Sequence, residues 1–507
     1  MSQSVELRRA QIVTALSDHC KNGDSYLTKK ELYTLCLSND PALEEAVFLS
    51  DLEALCRSGF LHAEGECISS MLVWRSENTV ADCLSRLLRL PPPPPITVPD
   101  QITLENGVTL TDEQRNAVAL ALSNRICLIL GGAGTGKTTV LRAILHLANY
   151  PEWYQAMSCA PTGKAVRNLI DHGIMPARTL HSALGIKAVD EDGCGNITWE
   201  QIKLINIDEV SMMTTELLAS FLSMMDDNCR LILIGDEQQL PPIGAGNVIA
   251  DLCALGFPCI RLRENHRLDS DAHCLTENVL HFDEMVHRTD LKTGDSFDVV
   301  PAYDFAIVNR IANDAARRIK EKQEVQVVCP YNNLVNAVNF KIRDMVNPKS
   351  PYKYEIHFKD KVLRDGDRVI ITQNDRDRGC YNGDIGILHI HRIEKEKLSY
   401  SIVLSKTRTV LWHGDAAVEQ LKHLLLAYAI SVHRAQGSEF DYVMMPVAMW
   451  MKKMLTRNLF YTAISRARKQ VLLYGNPNAI DMALSNELPP RRSMIVPKVK
   501  RLMKKIS

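Results

Sequence analysis

The sequence has almost no surplus of either charge and lacks a long apolar run. Its 59 lysines and arginines nearly balance 60 aspartates and glutamates, which gives a formal net charge of −1. A polyanion can therefore be bound only by a local cluster of basic residues and not by the surface as a whole. No apolar stretch approaches the roughly 18 residues of a membrane helix, and the first residues lack the apolar core of a secretory signal. These absences predict a cytoplasmic protein.

The sequence also lacks paired cysteines. Its 14 cysteines extend from Cys20 to Cys380 without one Cys-x-x-Cys spacing. We therefore expect reduced thiols in the core rather than zinc ligands or disulfides. With 46% hydrophobic and 23% charged residues, the composition is typical of a globular protein. At about 150 residues per domain, the length predicts roughly three domains.

Five consecutive prolines, Pro91 to Pro95, mark a boundary because they can neither continue a helix nor pair within a sheet. We expect a linker over residues 91–100. Apolar periodicity before it predicts three helices and two strands, over Glu6–Cys20, Lys29–Leu35, Ala42–Arg57, Phe60–His62 and Cys67–Trp74. This order predicts a winged-helix-like domain over residues 1–90. Such a fold would suit DNA, but 9 basic against 13 acidic residues give a net charge of −4, which favours a scaffold or partner-docking role.

Continuous apolar strands alternate with helical patterns in the rest of the chain. The first set is Ile126–Leu130 before Gly131, Leu204–Ile207 before Asp208, and Leu231–Ile234 before Gly235. The second set is Val325–Cys329, Ala427–Ser431, Tyr442–Met445 and Val471–Tyr474. Buried strands of this kind predict an α/β fold with parallel, doubly wound sheets, whose ligands bind at the carboxyl ends of the strands. Short alternating strands between residues 347 and 424 predict a small β-barrel inserted in the second α/β domain.

A phosphate-binding loop follows the first of these strands. Residues 131–138 read Gly-Gly-Ala-Gly-Thr-Gly-Lys-Thr, and they lie between an apolar strand and an amphipathic helix, as such a loop requires. Successive backbone N–H groups point at a triphosphate, where the helix N-terminus adds positive potential. Lys137 is expected to meet the β- and γ-phosphates, and the Thr138 hydroxyl is expected to bind Mg²⁺.

Two further strand ends complete a predicted hydrolytic site. Asp208 suits magnesium binding, and Glu209 suits polarising the attacking water. Gln239 lies in the run Gly-Asp-Glu-Gln-Gln-Leu-Pro-Pro over residues 235–242, where its amide can sense the γ-phosphate. These features predict a nucleotide hydrolase without defining what it moves.

The order of the remaining motifs resembles the superfamily-one helicases and, within them, the RecD-like branch. Besides the phosphate loop, eight segments occur in order between about Ile102 and Gly475: Thr111–Gln114, Ala160–Ala165, Thr179–His181, Asp208–Met212, Gly235–Pro242, Leu262–Arg267, Val432–Asp441 and Tyr461–Ala467. The resemblance implies two RecA-like parallel-sheet motor domains, over residues 101–280 and over 281–346 with 425–482. The inserted β-barrel would occupy residues 347–424, and a basic tail would follow over 483–507.

The resemblance also implies ATP and Mg²⁺ as cofactors and gives roles to several residues. Gln114 would bind the adenine edge, and Gly437 and Glu439 would link the nucleotide to the second motor domain. Arg267 and Arg466 would reach the γ-phosphate from across the cleft and stabilise its charge during transfer. The loop supplies the remaining nucleotide contacts, through Gly131, Gly132, Ala133, Gly134, Thr135, Gly136, Lys137, Thr138 and Thr139.

Contacts to nucleic acid are expected along the tops of both motor domains. Hydroxyl, imidazole and ammonium groups there can follow a phosphate backbone without reading sequence. The candidates are Pro161, Thr162, Lys164, His181, His433 and Thr462. The chain departs from the family at Arg434-Ala435, where Lys-Ser is usual, so one hydroxyl donor is lost.

Two segments invite further interpretations. A hairpin-like insert over residues 186–203 has a short acidic tip, which makes a duplex-splitting wedge only slightly more plausible than an ordinary surface hairpin. Trp199 within it is expected in the core. The segment from Arg491 to Ser507 has seven basic residues and no acid, so it is expected to be solvated, with contact to nucleic acid or an acidic partner as the alternative.

Three functions agree with these patterns. The first is an ATP-dependent helicase or translocase that moves 5′-to-3′ on single-stranded DNA and unwinds duplexes, with the polarity implied by the resemblance. The second is an ATP-gated, strand-binding regulatory subunit of a larger complex, docked through residues 1–90 or the basic tail. The third is an RNA helicase, because nothing in the sequence detects a 2′-hydroxyl.

Overall fold

The computed structural model describes residues 2–105, 107–150, 152–185, 198–265, 272–359, 361–375, 378–393 and 397–504. Within them the chain forms an N-terminal unit, two lobes built on parallel sheets, and an antiparallel unit inside the second lobe. Arg267 and the tip of the hairpin insert, 186–197, lie outside the described residues. None of the described helices is both long and apolar enough to cross a bilayer.

The N-terminal unit combines helices with a three-stranded antiparallel sheet. Its elements are α1 (Ser2–Cys20), β1 (Leu27–Thr28), α2 (Lys29–Asn39), α3 (Glu45–Arg57), β2 (Leu61–Glu64), β3 (Cys67–Ser70) and α4 (Met71–Arg89). The strand predicted over Cys67–Trp74 is wrong beyond Ser70, because the Ser70 hydroxyl accepts a hydrogen bond from the Val73 N–H at 3.2 Å and begins α4 there. The relationship to winged helices stays a prediction.

The first lobe is a six-stranded parallel sheet with the strand order β6-β5-β7-β8-β4-β9. Its elements are α5 (Asp112–Ser123), β4 (Ile126–Gly131), α6 (Lys137–Ala148), β5 (Ala156–Ala160), α7 (Gly163–Asp171), β6 (Ala177–Thr179), α8 (Leu180–Leu184), β7 (Leu204–Ile207), α9 (Thr215–Met224), β8 (Arg230–Gly235), α10 (Val248–Ala254) and β9 (Cys259–Leu262). The helix that follows, α11 (His273–Leu280), buries Leu275 and Val279 in the core of the second lobe. The central strands are buried on both faces, as their apolar runs predict.

The second lobe begins with β10 (Phe297–Pro301), α12 (Ile307–Lys320), β11 (Val325–Cys329) and α13 (Asn332–Val346). An antiparallel insert follows, with β12 (Glu355–Phe358) and β13 (Lys361–Arg364) paired as a ladder. The remaining insert elements are β14 (Arg368–Ile371), β15 (Ile385–Arg392), β16 (Ser399–Ser405), β17 (Arg408–His413), α14 (Gly414–Leu421) and β18 (Leu424–Leu426). Its main sheet has five strands in the order β17-β16-β15-β14-β18, so the predicted all-β texture is present, while closure into a barrel stays a prediction.

The chain then completes the second lobe. Its elements are β19 (Ala429–Ser431), α15 (Val432–Ala435), β20 (Phe440–Val447), α16 (Arg457–Ile464), β21 (Ala467–Gly475) and α17 (Asn478–Ser485). The five strands are parallel, in the order β10-β21-β20-β11-β19. Both lobes therefore have the doubly wound architecture that the alternation of strands and helices predicts.

The C-terminal segment is packed and not a solvated tail. Helix α18 (Ile495–Lys504) buries Ile495 and Val499 in the same core cluster as residues of α4 and the first sheet. Lys498 is buried with Glu77 of α4, and their charged atoms are 3.4 Å apart. The expectation of a solvated tail is therefore wrong, because the basic residues alternate with apolar ones at helical spacing and one of them has a buried acidic partner.

The proline-rich segment lies against the first lobe. The Pro94 carbonyl accepts a hydrogen bond from the buried Arg230 guanidinium. Ile96 and Val98 pack against the core on one face of the first sheet. This segment connects the N-terminal unit to the first lobe while remaining in contact with it.

Candidate active site

The phosphate loop joins β4 to α6 in the conformation that its glycines permit. Gly134 and Gly136 have φ values of 84° and 79°, in the left-handed region that residues with a side chain rarely adopt. The Lys137 ammonium donates to the carbonyls of Gly131 and Gly132, each at 2.7 Å. The predicted amine therefore lies directly over the loop.

Two carboxylates stand beside the loop at the end of β7. The Glu209 N–H donates to Asp208 Oδ1 at 2.9 Å, and Glu209 has a φ of 54°, in the left-handed region. Burial raises the pKa of Asp208, and the Lys137 charge opposes the rise. Burial and the neighbouring Asp208 raise the pKa of Glu209 to about 7, against the opposing charges of Arg466 and Lys137. The predicted base therefore has a proton affinity suited to accepting a proton near neutral pH.

The segment after β8 brings an acid and an amide together. Gln239 is buried, and its Nε2 donates to Asp236 Oδ2 at 3.3 Å. The Gln238 N–H donates to the other oxygen, Asp236 Oδ1, at 3.1 Å. Gln239 Oε1 is buried without a hydrogen-bond partner among the described residues. A buried amide oxygen without a partner is costly and often marks a functional position.

Tyr461 of α16 connects this segment to the phosphate loop. It is fully buried, and its hydroxyl donates to Asp236 Oδ2 at 2.8 Å. The Tyr461 hydroxyl oxygen also lies beside the phosphate loop, because a Cβ at Gly132 would be 3.0 Å from it. One hydroxyl from the second lobe thus joins two nucleotide motifs of the first, a role the sequence does not reveal because both partners are distant in the chain.

Further hydrogen bonds from the second lobe hold the same segment. Thr462 Oγ1 accepts from the Leu240 N–H at 2.8 Å and donates to the Asn458 carbonyl at 2.7 Å. Asn458 Nδ2 donates to the Gln238 carbonyl at 3.0 Å, and Gln436 Nε2 donates to the Leu240 carbonyl at 3.3 Å. The two lobes are therefore joined at residues 238–240, where the nucleotide sensor was predicted.

Arg466 follows α16 and is buried, with 4% of its surface exposed. Its Nε donates to the Thr462 carbonyl at 3.1 Å, and its Nη2 donates to Ser465 Oγ at 3.0 Å. Its charge acts on both Glu209 and Tyr461. The structure therefore brings this predicted arginine to the carboxylates of the first lobe.

Glu113, to which the sequence assigns no separate role, holds the segment that leads to Arg267. The Glu113 carboxylate accepts from the N–H groups of Arg263 and Glu264 at 2.9–3.1 Å. Asn265 Nδ2 donates to the Ala133 carbonyl at 3.3 Å. This segment and the phosphate loop border a cavity of about 330 Å³, which is also lined by residues 236–238, 279–281, 283 and 284.

The other residues predicted to contact the nucleotide differ from one another in burial and in hydrogen-bond partners. Gln114 is buried, and its Oε1 accepts from the Thr111 N–H at 3.2 Å, which fixes its amide in a capping box at the start of α5. Gly437 packs against α7, where its carbonyl accepts from Asn168 Nδ2 at 2.8 Å. Glu439 is exposed. Thr138 and Thr139 lie in the first turn of α6 and are partly buried.

Three of the six predicted nucleic-acid residues surround the start of α7. Thr162 caps this helix by accepting from the Ala165 N–H at 3.2 Å, Lys164 follows it, and Pro161 precedes it. A Cβ at Gly437 would lie 3.5 Å from Thr162 Oγ1, and one at Gly383 of the insert would lie 3.6 Å from Lys164 Cβ. Two lobes and the insert therefore meet here.

The remaining three candidates have different positions. His181 is exposed, and burial lowers the pKa of the half-buried His433. Thr462 is the exception to the predicted set, because it is fully buried and its hydroxyl is used between the lobes. Its assignment as a nucleic-acid contact is therefore wrong in this conformation.

Three family models match the chain in order. Residues 109–288 match an AAA domain, residues 338–403 match the SH3 domain of ATP-dependent RecD-like DNA helicases, and residues 426–474 match a UvrD-like helicase C-terminal domain. Two of the three models are helicase domains, one of them from RecD-like DNA helicases, so the chain is similar to RecD-like helicases. The SH3-domain match falls on the predicted insert, and the other two matches fall on the two lobes.

The individual relatives are distant in sequence. The ATP-dependent RecD2 DNA helicase of Deinococcus radiodurans is 28% identical over 443 residues, which cover 84% of this chain and 58% of that protein. The RecBCD enzyme subunit RecD of Mycobacterium tuberculosis is 27% identical over 467 residues, which cover 81% of this chain and 76% of that protein. A crystal structure of a Bacteroides Pif1 helicase with ADP-AlF3 and single-stranded DNA is similar with a TM-score of 0.47 at 21% identity, covering 78% of this chain and 97% of that one.

Proposed function

We propose that the chain is an ATP-dependent DNA helicase or translocase that moves 5′-to-3′ on single-stranded DNA and unwinds duplexes. One observation carries the proposal: the buried Tyr461 hydroxyl of the second lobe donates to Asp236 Oδ2 of the first lobe at 2.8 Å, beside the phosphate loop. Two lobes that are hydrogen-bonded at the nucleotide site can couple nucleotide hydrolysis to their relative movement. The RecD-like relatives support DNA as the substrate, and the polarity rests on the resemblance.

The residues present suit ATP and Mg²⁺. A Cβ at Gly131 would lie 2.6 Å from Thr135 Oγ1 and 3.0 Å from the Leu262 carbonyl oxygen, so the loop can pack this closely against β9 only with glycine here. Lys137 supplies a cation for the phosphates, while Thr138 and Asp208 supply the oxygen ligands that Mg²⁺ prefers. Bound Mg²⁺ would neutralise phosphate charge during transfer.

The protein side of the reaction follows from these positions. Glu209 accepts the proton of the attacking water, and Gln239, with its unpartnered Oε1, orients that water or contacts the γ-phosphate. Arg466 stabilises the charge that spreads over the transferred group, an effect worth about 10³–10⁵ in rate for arginines of this kind. Arg267 is proposed for a similar role. Hydrolysis releases the γ-phosphate group that these residues contact. The lobes can then separate and bind the strand at a new position.

The second candidate is an ATP-gated, strand-binding subunit of a larger complex without unwinding of its own. It is favoured by the RecBCD subunit RecD relatives and by the N-terminal unit, whose net charge of −4 suits a protein partner better than DNA. In this case the lobes would still hydrolyse ATP on single strands. Duplex separation would require the partner.

A strand-displacement experiment tests the proposal. The parent and Lys137→Ala proteins are incubated with ATP, Mg²⁺ and duplexes that carry either a 5′ or a 3′ single-stranded tail. We expect separation of the 5′-tailed duplex by the parent alone. Strand-stimulated hydrolysis without displacement from either end would favour the subunit. Stronger stimulation by RNA than by matched DNA strands would favour the RNA helicase. Hydrolysis by Lys137→Ala at the parent rate would contradict the assigned site.

A further inference from the structure

An aromatic pair with one exposed and one partly buried ring lies at the carboxyl edge of the second sheet. Tyr331 follows β11 and Trp450 follows β20, and their ring centroids are 5.8 Å apart with the planes inclined by 30°. Trp450 is 53% exposed and the preceding Met449 is 46% exposed. Tyr331 packs partly against the core of the lobe, so it supports the more exposed indole from below. The nucleotide chemistry described above uses neither ring.

Three basic residues lie at the same edge of the sheet. Arg434 follows β19, which neighbours β11, while Lys452 and Lys453 follow Trp450 directly. All three are exposed. Within the described part of the chain, none of the three takes part in an ion pair. Since β19, β11 and β20 are parallel neighbours, the cations and the aromatic rings share the edge where ligands of such sheets bind.

We propose that Tyr331 and Trp450 form a platform on which a base of single-stranded DNA stacks, while Arg434, Lys452 and Lys453 contact the adjacent phosphates. This platform would form part of the strand-binding surface of the proposed helicase, so the inference rests on the proposed function. Every base has a flat aromatic face, so stacking holds a strand without reading its sequence, and the cations account for the charge of its backbone. A purely apolar partner would not need the three cations.

Binding of a short labelled oligothymidylate to the full chain tests the platform. Trp450→Ala should weaken binding by about ten-fold or more, since stacking of one base on an aromatic side chain has this magnitude. Trp450→Phe should stay within about three-fold of the parent because it keeps an aromatic face. Phe305→Ala is the matched control: Phe305 is 85% exposed and follows β10 at the far side of the same sheet, beside Asp304 rather than the cations. It should leave binding unchanged.

An abasic oligonucleotide separates stacking from phosphate contact. The parent should bind the abasic oligonucleotide more weakly than the normal one. For Trp450→Ala, the difference in affinity between the two oligonucleotides should be smaller. The Lys452→Ala, Lys453→Ala double variant should instead reduce the salt dependence of binding to both strands. If the parent binds the strand and Trp450→Ala binds it equally well, the platform is wrong while the proposed function stands. If the parent binds no strand at all, both are wrong.

Discussion

Removal of the Tyr461 hydroxyl should slow ATP hydrolysis more than it weakens ATP binding. Tyr461→Phe keeps the buried ring, including its contact with Phe282 at 5.0 Å between centroids. It removes the 2.8 Å hydrogen bond to Asp236 Oδ2 and leaves that oxygen with Gln239 Nε2 at 3.3 Å. Hydrogen bonds to charged groups contribute about 1.5–3 kcal/mol. If about half of this is expressed in positioning Gln239, kcat should fall about three- to ten-fold.

Steady-state ATP hydrolysis with saturating single-stranded DNA measures this effect. The KM for ATP should stay within about three-fold of the parent value, because Lys137 and the loop backbone still bind the phosphates. Tyr474→Phe is a matched control. Tyr474 is also buried in the second lobe, and its hydroxyl donates to Asp314 Oδ2 at 2.9 Å, away from the cleft. It should lower the free energy of unfolding similarly and leave kcat unchanged. Equal kcat values for parent and Tyr461→Phe would refute the connection through Asp236.

Three further predictions concern the catalytic carboxylate and the packing of the first lobe. Glu209→Gln should retain ATP binding and lose about 10²–10⁴ in kcat, measured by hydrolysis and by nucleotide titration. Burial raises the pKa of Asp251 to about 7, so the ionisation of its carboxyl group reduces the stability of the folded protein increasingly as pH rises from about 4 to 7. Asp251→Asn should therefore raise the free energy of unfolding near pH 8 by on the order of 2 kcal/mol and change it little at pH 4. Lys498→Met should lower the free energy of unfolding by about 3–5 kcal/mol, because it leaves Glu77 buried without its cation. Urea denaturation measures this change, and no loss would be seen if the pair were solvated.

The parts of the fold that depend on local patterns could be predicted from the sequence. Continuous apolar runs locate the central strands of both lobes, and the glycine-rich loop needs only its flanking strand and helix to be recognised. The carboxyl ends of parallel strands meet at one edge, which is why the sequence predicts one site for Lys137, Asp208 and Gln239. In the structure Lys137 is close enough to Asp208 for their charges to interact, while the assignment of the whole set stays a prediction.

The parts that depend on distant partners could not be predicted. Thr462 was assigned to nucleic acid because of its motif, but its hydroxyl is fixed by Leu240, which lies 222 positions earlier. Lys498 was expected in solvent, although its partner Glu77 lies 421 positions away. The strand expected through Trp74 failed for a local reason, because the apolar run after Cys67 suits a strand and a helix equally until the Ser70 cap selects the helix.

ATP hydrolysis by Arg466→Ala with saturating single-stranded DNA tests the central claim most directly. Arg468→Ala serves as the control, since Arg468 lies two residues away on the surface and pairs with Asp441 and Glu324. We predict that Arg466→Ala still binds ATP but hydrolyses it about 10³–10⁵ times more slowly, while Arg468→Ala resembles the parent. Hydrolysis by Arg466→Ala at the parent rate would contradict a catalytic cleft shared by the two lobes.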